Sequence, residues 1–258
     1  MSNFRWGILG SGGIAHRFAE DLAHLDGHVV AAVGSRTKDS AEKFAADFPG
    51  CAPYSSYEDL VASDVDAIYV ATPHPMHHAN ALLAMKAGKP VLCEKAFTVN
   101  AAQARELIEY SHAHRIPLME AMWTRYLPQT DVIRQILAEG ILGEIKLVLS
   151  DFGQDLLHVP RLVDPVAGGG LLDLGIYNFA FTSLVLGEAQ HVSASGTLTA
   201  TGVDDTVAVL LGYASGAQAS ITTSISAFTP TAASITGTKG MLKVGEPFFT
   251  PTTLTLFN

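Results

Sequence analysis

Near its start the chain runs Phe4-Arg5-Trp6-Gly7-Ile8-Leu9 and then Gly10-Ser11-Gly12-Gly13-Ile14-Ala15: a short apolar strand breaking into a glycine turn that launches a helix. That order suits a dinucleotide pyrophosphate. Gly10 permits the tight turn, Gly12 lets the backbone approach the phosphates, and small Ala15 lets the helix pack closely on the strand. Gly13 and Ile14 then open a helix N-terminus that can meet the anion. Alone, the spacing also fits a glycine-rich turn that holds nothing, so the residues downstream have to decide.

From residue 4 to about 121, short Val/Ile/Leu-rich runs alternate with longer amphipathic stretches, the pattern of βαβ units and a mostly parallel sheet. Strands are expected at 4–9, 29–33, 66–71, 91–93 and 117–121. Helices are expected at 40–47, 56–61, 79–87 and 101–114, with Ser55 and Glu58 as a capping box, Asn100 as an N-cap and Gly88 just beyond a helix end. A further helix, 128–139, leads into a different texture. Alternating runs at 144–152, 191–201, 206–213, 217–226, 232–236, 241–244 and 253–257 read as strands, and the glycines at 216, 237 and 240 fit hairpin turns. One helix, 171–186, interrupts them after Gly168-Gly169-Gly170. The expected architecture is α/β: a doubly wound Rossmann domain over 1–121, then an α+β domain over 122–258 with a mainly antiparallel open sheet. The run 253–257 with no closing helix suggests a missing C-terminal segment.

Composition narrows the partners. A net charge of −9 with 16 Lys plus Arg supplies no phosphate-neutralising footprint for nucleic acid or anionic membranes. No apolar run approaches the ~20 residues of a membrane span. Cys51 and Cys93 are too few for a disulfide framework, and no signal segment precedes the glycine turn, which predicts a cytoplasmic protein with a small-molecule partner.

The second strand ends in Gly34-Ser35-Arg36-Thr37-Lys38. An NAD site normally has an Asp or Glu there for the ribose hydroxyls. Here Ser35 can hydrogen-bond a 2′-phosphate and Arg36 can pair with it, so NADP is expected in preference to NAD.

In a doubly wound sheet the ligand lies outside the carboxyl ends of the strands. Three such ends carry reactive groups: Thr72-Pro73-His74-Pro75-Met76-His77-His78, Cys93-Glu94-Lys95-Ala96 and Glu120-Ala121-Met122-Trp123. His74 and His77 have no Cys or carboxylate set beside them, so no metal site is expected. Asp173 and Tyr177, four apart in the 171–186 stretch, would share one helix face.

Together with Gly168-Gly169-Gly170-Leu171-Leu172-Asp173-Leu174-Gly175-Ile176-Tyr177 and Trp123-Thr124-Arg125, these motifs resemble the Gfo/Idh/MocA oxidoreductases over essentially the whole chain, and within them the NADP-linked dihydrodiol and D-xylose dehydrogenases. The resemblance implies hydride transfer between nicotinamide and a sugar or vicinal diol. It implies Lys95 as the active-site lysine, Tyr177 as proton donor and acceptor, and Asp173 as a third polar group. Thr72, Pro73, His74, His77 and Glu94 would face the cofactor, and Trp123, Arg125 and Phe152 would line the substrate pocket. Within the resemblance, a glycosidase that uses its nicotinamide transiently and a non-catalytic NADP-binding regulator remain alternatives. The family usually continues Glu-Lys with proline, where this chain has Ala96; proline would have restricted Lys95 to extended conformations. The open sheet of the second domain would be covered by self-association.

Overall fold

The computed structural model describes residues 3–258, and its contacts divide the chain into two compact units, one ending at Ala121 and the other starting at Met122.

The first unit is built on β1 (Phe4–Leu9), β2 (His28–Gly34), β3 (Ala52–Tyr54), β4 (Ala67–Val70), β5 (Val91–Cys93) and β6 (Leu118–Glu120). They form one sheet in the order β3-β2-β1-β4-β5-β6, every pair parallel. The crossovers are α1 (Gly13–Leu22), α2 (Lys38–Asp47), α3 (Tyr57–Val61), α4 (His77–Lys86) and α5 (Ala101–His114). Both sheet faces are covered, so successive residues of a strand enter different cores. Ile8, Val33, Tyr69 and Ala71 pack with Ala15, Ala19 and Phe44 on one side. Leu9, Ile68 and Val70 pack with Leu60, Met85 and Leu107 on the other. That double burial is why these strands read as continuous apolar runs.

Local signals set the helix ends. Thr37 and Asn100 accept backbone N–H bonds at the starts of α2 and α5, and Gly88, at φ +75°, follows the last residues of α4. Ser56, not Ser55, caps α3, accepting the Asp59 N–H at 3.0 Å. Helix α4 begins at His77, two residues before its expected start. The short strand β3 is absent from the sequence reading because Pro53 masks it, and proline is accommodated there because β3 is an edge strand.

The second unit contains α6 (Pro128–Ala138), β7 (Ile145–Gly153), α7 (Ile176–Leu186), β8 (His191–Leu198), β9 (Asp204–Gly212), β10 (Gln218–Ser224), β11 (Ala233–Gly237), β12 (Met241–Val244) and β13 (Leu254–Phe257). The strands form one sheet, β13-β12-β11-β7-β10-β9-β8. Both expected hairpins, β9–β10 and β11–β12, are antiparallel. The central β7–β10 pair is parallel, which no local signal announces. Val148, Phe152, Val207, Val209, Leu211 and Ile221 turn to a core that includes Phe181 of α7. Leu149 and Leu210 face outward at 42% and 59% exposure.

The helix expected over 171–186 is two structures. Leu171–Gly175 is a π-helical turn and the α-helix starts at Ile176. The Leu171 N–H is taken by Asp204 Oδ2 at 2.7 Å, so a β9 carboxylate caps the π turn where no local side chain does. Asp173 and Tyr177 therefore straddle a change of winding and do not share one uniform α-helical face.

Candidate functional site

In the first unit the candidate site residues gather at the carboxyl ends of the strands. The order reverses between β1 and β4, and Gly10 sits at that switch point. Its φ of +105° is one reason for glycine; the other is that a β-carbon would lie 2.7 Å from the Ala71 carbonyl oxygen. Gly12 and Gly13 are different: a β-carbon at either would meet nothing within 4 Å. Helix α1 starts at that open surface with no side-chain cap and no acidic residue in its first turn. Ile14 stands 47% exposed beside it. The backbone N–H groups of the first turn and the positive end of the helix dipole thus face open space that no side chain fills, and a dinucleotide pyrophosphate fits.

At the next strand end Ser35 is buried. Its N–H donates to the Tyr54 carbonyl at 3.1 Å, and the Ser11 hydroxyl donates to its own at 3.2 Å. Arg36 is exposed and close enough to Tyr57 for its charge to oppose the upward push of burial on that phenol. Serine and arginine together fit a ribose 2′-phosphate.

The β4 end is more buried than the sequence suggests. Thr72 accepts from Asn80 Nδ2 at 3.0 Å. Pro73 is exposed and leads into the 3-10 turn His74–Met76, where His74 is half-buried with its ring centroid 5.6 Å from that of His77 in an edge-to-face arrangement. His77 is fully buried. Its Nδ1 lies 2.8 Å from the Ala96 carbonyl oxygen and its Nε2 2.7 Å from that of Thr72. A neutral ring donates through one of these nitrogens, and both face the fold interior, so His77 braces the β4 and β5 loops from behind. Burial pushes its pKa down, against the pull of the two carbonyls.

Past β5, Glu94 accepts from the Tyr69 hydroxyl at 2.6 Å and from the Lys95 backbone N–H at 3.1 Å. The Phe97 N–H donates to Glu120 Oε1 at 3.1 Å. Lys95 is thus carried on a short loop held at its own backbone N–H and again at the Phe97 N–H two residues on.

In the second unit, Tyr177 is 8% exposed and sits inside an aromatic wall. The Trp123 indole N–H donates to its hydroxyl oxygen at 3.3 Å. Phe152 stacks on Phe249 with centroids 4.5 Å apart, and Phe249 lies 5.2 Å from the Tyr177 ring. Phe249 escaped the sequence reading, which had read no site residue between the strands at 241–244 and 253–257. Its one signal is the paired Phe248-Phe249 after Pro247. Asp173 is 3% exposed and bound bidentately by Arg161, another residue the sequence left unmarked. That ion pair holds the Asp173 carboxylate in one orientation. Arg125 and Tyr177 share the lining of a small cavity of about 20 Å³, with Phe181 and Phe248.

Residues 4–121 match the model of the oxidoreductase family with an NAD-binding Rossmann fold, and residues 130–243 match the GFO/IDH/MocA C-terminal domain. Trans-1,2-dihydrobenzene-1,2-diol dehydrogenase of Mus musculus is 43% identical over 256 residues, covering 97% of this chain and 77% of the relative. The Bos taurus protein of that name is 44% identical over 97% of this chain and 76% of its own. Among solved structures, KijD10, a 3-ketoreductase from Actinomadura kijaniata in complex with NADP and TDP-benzene, superposes with a TM-score of 0.88 at 28% identity, covering 100% of this chain and 82% of its own. Variants of that ketoreductase replacing one lysine and one tyrosine have been crystallised. An NAD binding oxidoreductase from Klebsiella pneumoniae superposes with a TM-score of 0.86 at 27% identity, over 100% and 77% of the two chains.

Proposed function

Because the chain belongs to the Gfo/Idh/MocA oxidoreductase family and carries its NAD(P)-binding Rossmann domain, we propose that it is an NADP-dependent dehydrogenase acting on a vicinal diol or a sugar. The observation that carries this reading is the bare α1 N-terminus over Gly12 and Gly13, followed at the next strand end by Ser35 and Arg36 where an NAD site would have a carboxylate. NADP, when bound, supplies or accepts the hydride.

The chain's own residues do the rest. The glycine loop takes the pyrophosphate on backbone N–H groups, and Ser35 and Arg36 take the 2′-phosphate. Thr72, Pro73, His74 and Glu94 shape the loop edges toward the nicotinamide side, with His77 bracing them from within. Tyr177 passes a proton to the substrate oxygen in reduction and receives it in oxidation. Lys95 donates a hydrogen bond to a substrate oxygen and stabilises charge developing there. Arg161 keeps Asp173 oriented as a further acceptor for a substrate hydroxyl. Trp123, Phe152 and Phe249 offer ring faces and edges that suit a cyclic diol or the C–H face of a sugar. The names of the diol dehydrogenases and the lysine and tyrosine variants of the ketoreductase support these roles.

Two buried free thiols, Cys51 and Cys93, support a cytoplasmic setting. On the outward face of the second sheet Leu149, Ser220 and Leu210 lie side by side across three strands, a low-charge row that supports self-association.

The test is initial rates with NADP and with NAD over a panel of dihydrodiols, pentoses and hexoses, followed by reduced-nicotinamide absorbance and product analysis. Net turnover with NADP on a diol or sugar supports the reading. Bond cleavage without net reduction would make the protein a glycosidase, and cofactor binding without turnover a regulator.

A further inference from the structure

Tyr69 stands in the middle of β4 and is 2% exposed, a place where phenylalanine would fill the same volume against Phe18, whose ring stacks on it at 4.0 Å. A phenol buried this deeply needs a partner. Its hydroxyl reaches Glu94 Oε1 at 2.6 Å, the short distance of a charge-assisted bond. The pairing of β4 with β5 explains the reach. Tyr69 lies opposite Leu92, so Glu94, two residues further on, leaves the sheet on the same face one pleat ahead. The second Glu94 oxygen accepts the backbone N–H of Lys95 at 3.1 Å. One carboxylate therefore joins a side chain locked in the sheet core to the peptide that carries Lys95. Without the hydroxyl, the half-buried carboxylate would rotate about its terminal torsion and the Lys95 peptide would lose its fixed acceptor.

We propose that Tyr69 is a positioning residue for the reaction, acting through Glu94 to aim Lys95. The inference rests on the role given to Lys95 above. Burial, and then the negative charge of Glu94, push the ionisation of Tyr69 well above its ordinary range, so it remains a donor throughout the working pH range.

Tyr69→Phe removes the donor and leaves the packing intact. With the best substrate of the panel, kcat is expected to fall roughly tenfold to a hundredfold, as misaimed catalytic groups do. KM and NADP affinity should stay within about twofold, a split that a general loss of structure would not produce. In single-turnover measurements on a Glu94→Ala background, Tyr69→Phe should add less than about a twofold further loss, because the residue it acts through is gone. A Tyr69→Phe enzyme with wild-type kcat would overturn the inference, as would an equal loss in both backgrounds. Full activity in Lys95→Met would remove the role of Lys95 and this inference with it. An inactive Lys95→Met beside an unaffected Tyr69→Phe would remove this inference alone.

Discussion

The two sheets bury their residues differently, and that difference decides where each places its chemistry. The parallel sheet of the first unit is covered on both faces, with Ile8 and Tyr69 in one core and Leu9, Ile68 and Val70 in the other. The strand interiors are given mostly to apolar packing, so the candidate residues lie at the strand ends and are held largely by backbone: the Gly10 turn, the α1 N-terminus and the Lys95 loop. The sheet of the second unit buries one face and leaves Leu149 and Leu210 outward. There the candidate residues are side chains drawn from well-separated segments, Trp123, Phe152, Asp173, Tyr177 and Phe249, converging on the start of α7.

The hardest test of this contrast removes one reactive group from each unit. Lys95→Met and Tyr177→Phe should each lower kcat by about a thousandfold or more while NADP affinity changes by less than about twofold, measured by steady-state rates and cofactor titration. Near wild-type turnover in either variant would confine the chemistry to the other unit. A second test asks whether the first unit works through its backbone. Gly10→Val should cost about 2 to 4 kcal/mol in denaturant unfolding, since it combines a disallowed φ with overlap on the Ala71 carbonyl. Gly12→Ala should change stability by under about 1 kcal/mol yet weaken cofactor binding tenfold or more, because its methyl group takes the open space. Equal stability losses in the two would remove the distinction.

A smaller effect is expected at the second strand end. Arg36→Ala should weaken NADP about tenfold to a hundredfold and NAD by no more than about twofold in fluorescence titrations. If both cofactors weaken alike, the 2′-phosphate contact is wrong.

The smallest effect concerns alkaline pH. In the first unit burial pushes the Cys51 thiol up to about 11, and the Cys93 thiol and the Tyr69 phenol are also pushed up, by burial and then by Glu94. In the second unit burial raises the Tyr213 phenol. A raised folded-state value favours the neutral form. The stability it contributes is therefore complete below the unfolded thiol value of 9.0 and is lost as the pH climbs toward 11. Between pH 8 and 10.5 the Cys51 thiol alone should cost the first unit about 2 kcal/mol. Hydrogen exchange corrected for intrinsic rates should show β4 and β5 losing protection before β9 and β10; simultaneous loss would refute it.

The sequence by itself determined the features that neighbours a few residues apart can set. Apolar runs broken at Gly10 and Gly34 announced the Rossmann sheet, Asn100 and Gly88 marked helix ends, and the glycines at 216, 237 and 240 marked hairpins. The strand-end position of Ser35 and Arg36 was legible because the length of a strand-turn-helix-strand unit is a matter of spacing. Tertiary structure alone decided the burial of His77 against the Thr72 and Ala96 carbonyls and the Arg161 clamp on Asp173. It also decided the capping of the Leu171 N–H by Asp204, the parallel β7–β10 pair, and the meeting of Phe152 with Phe249. Periodicity and turn chemistry depend on the backbone over one or two turns. A hydrogen bond or ring contact between residues tens of positions apart exists only after strand register has brought them together, and that register is a property of the packed sheet.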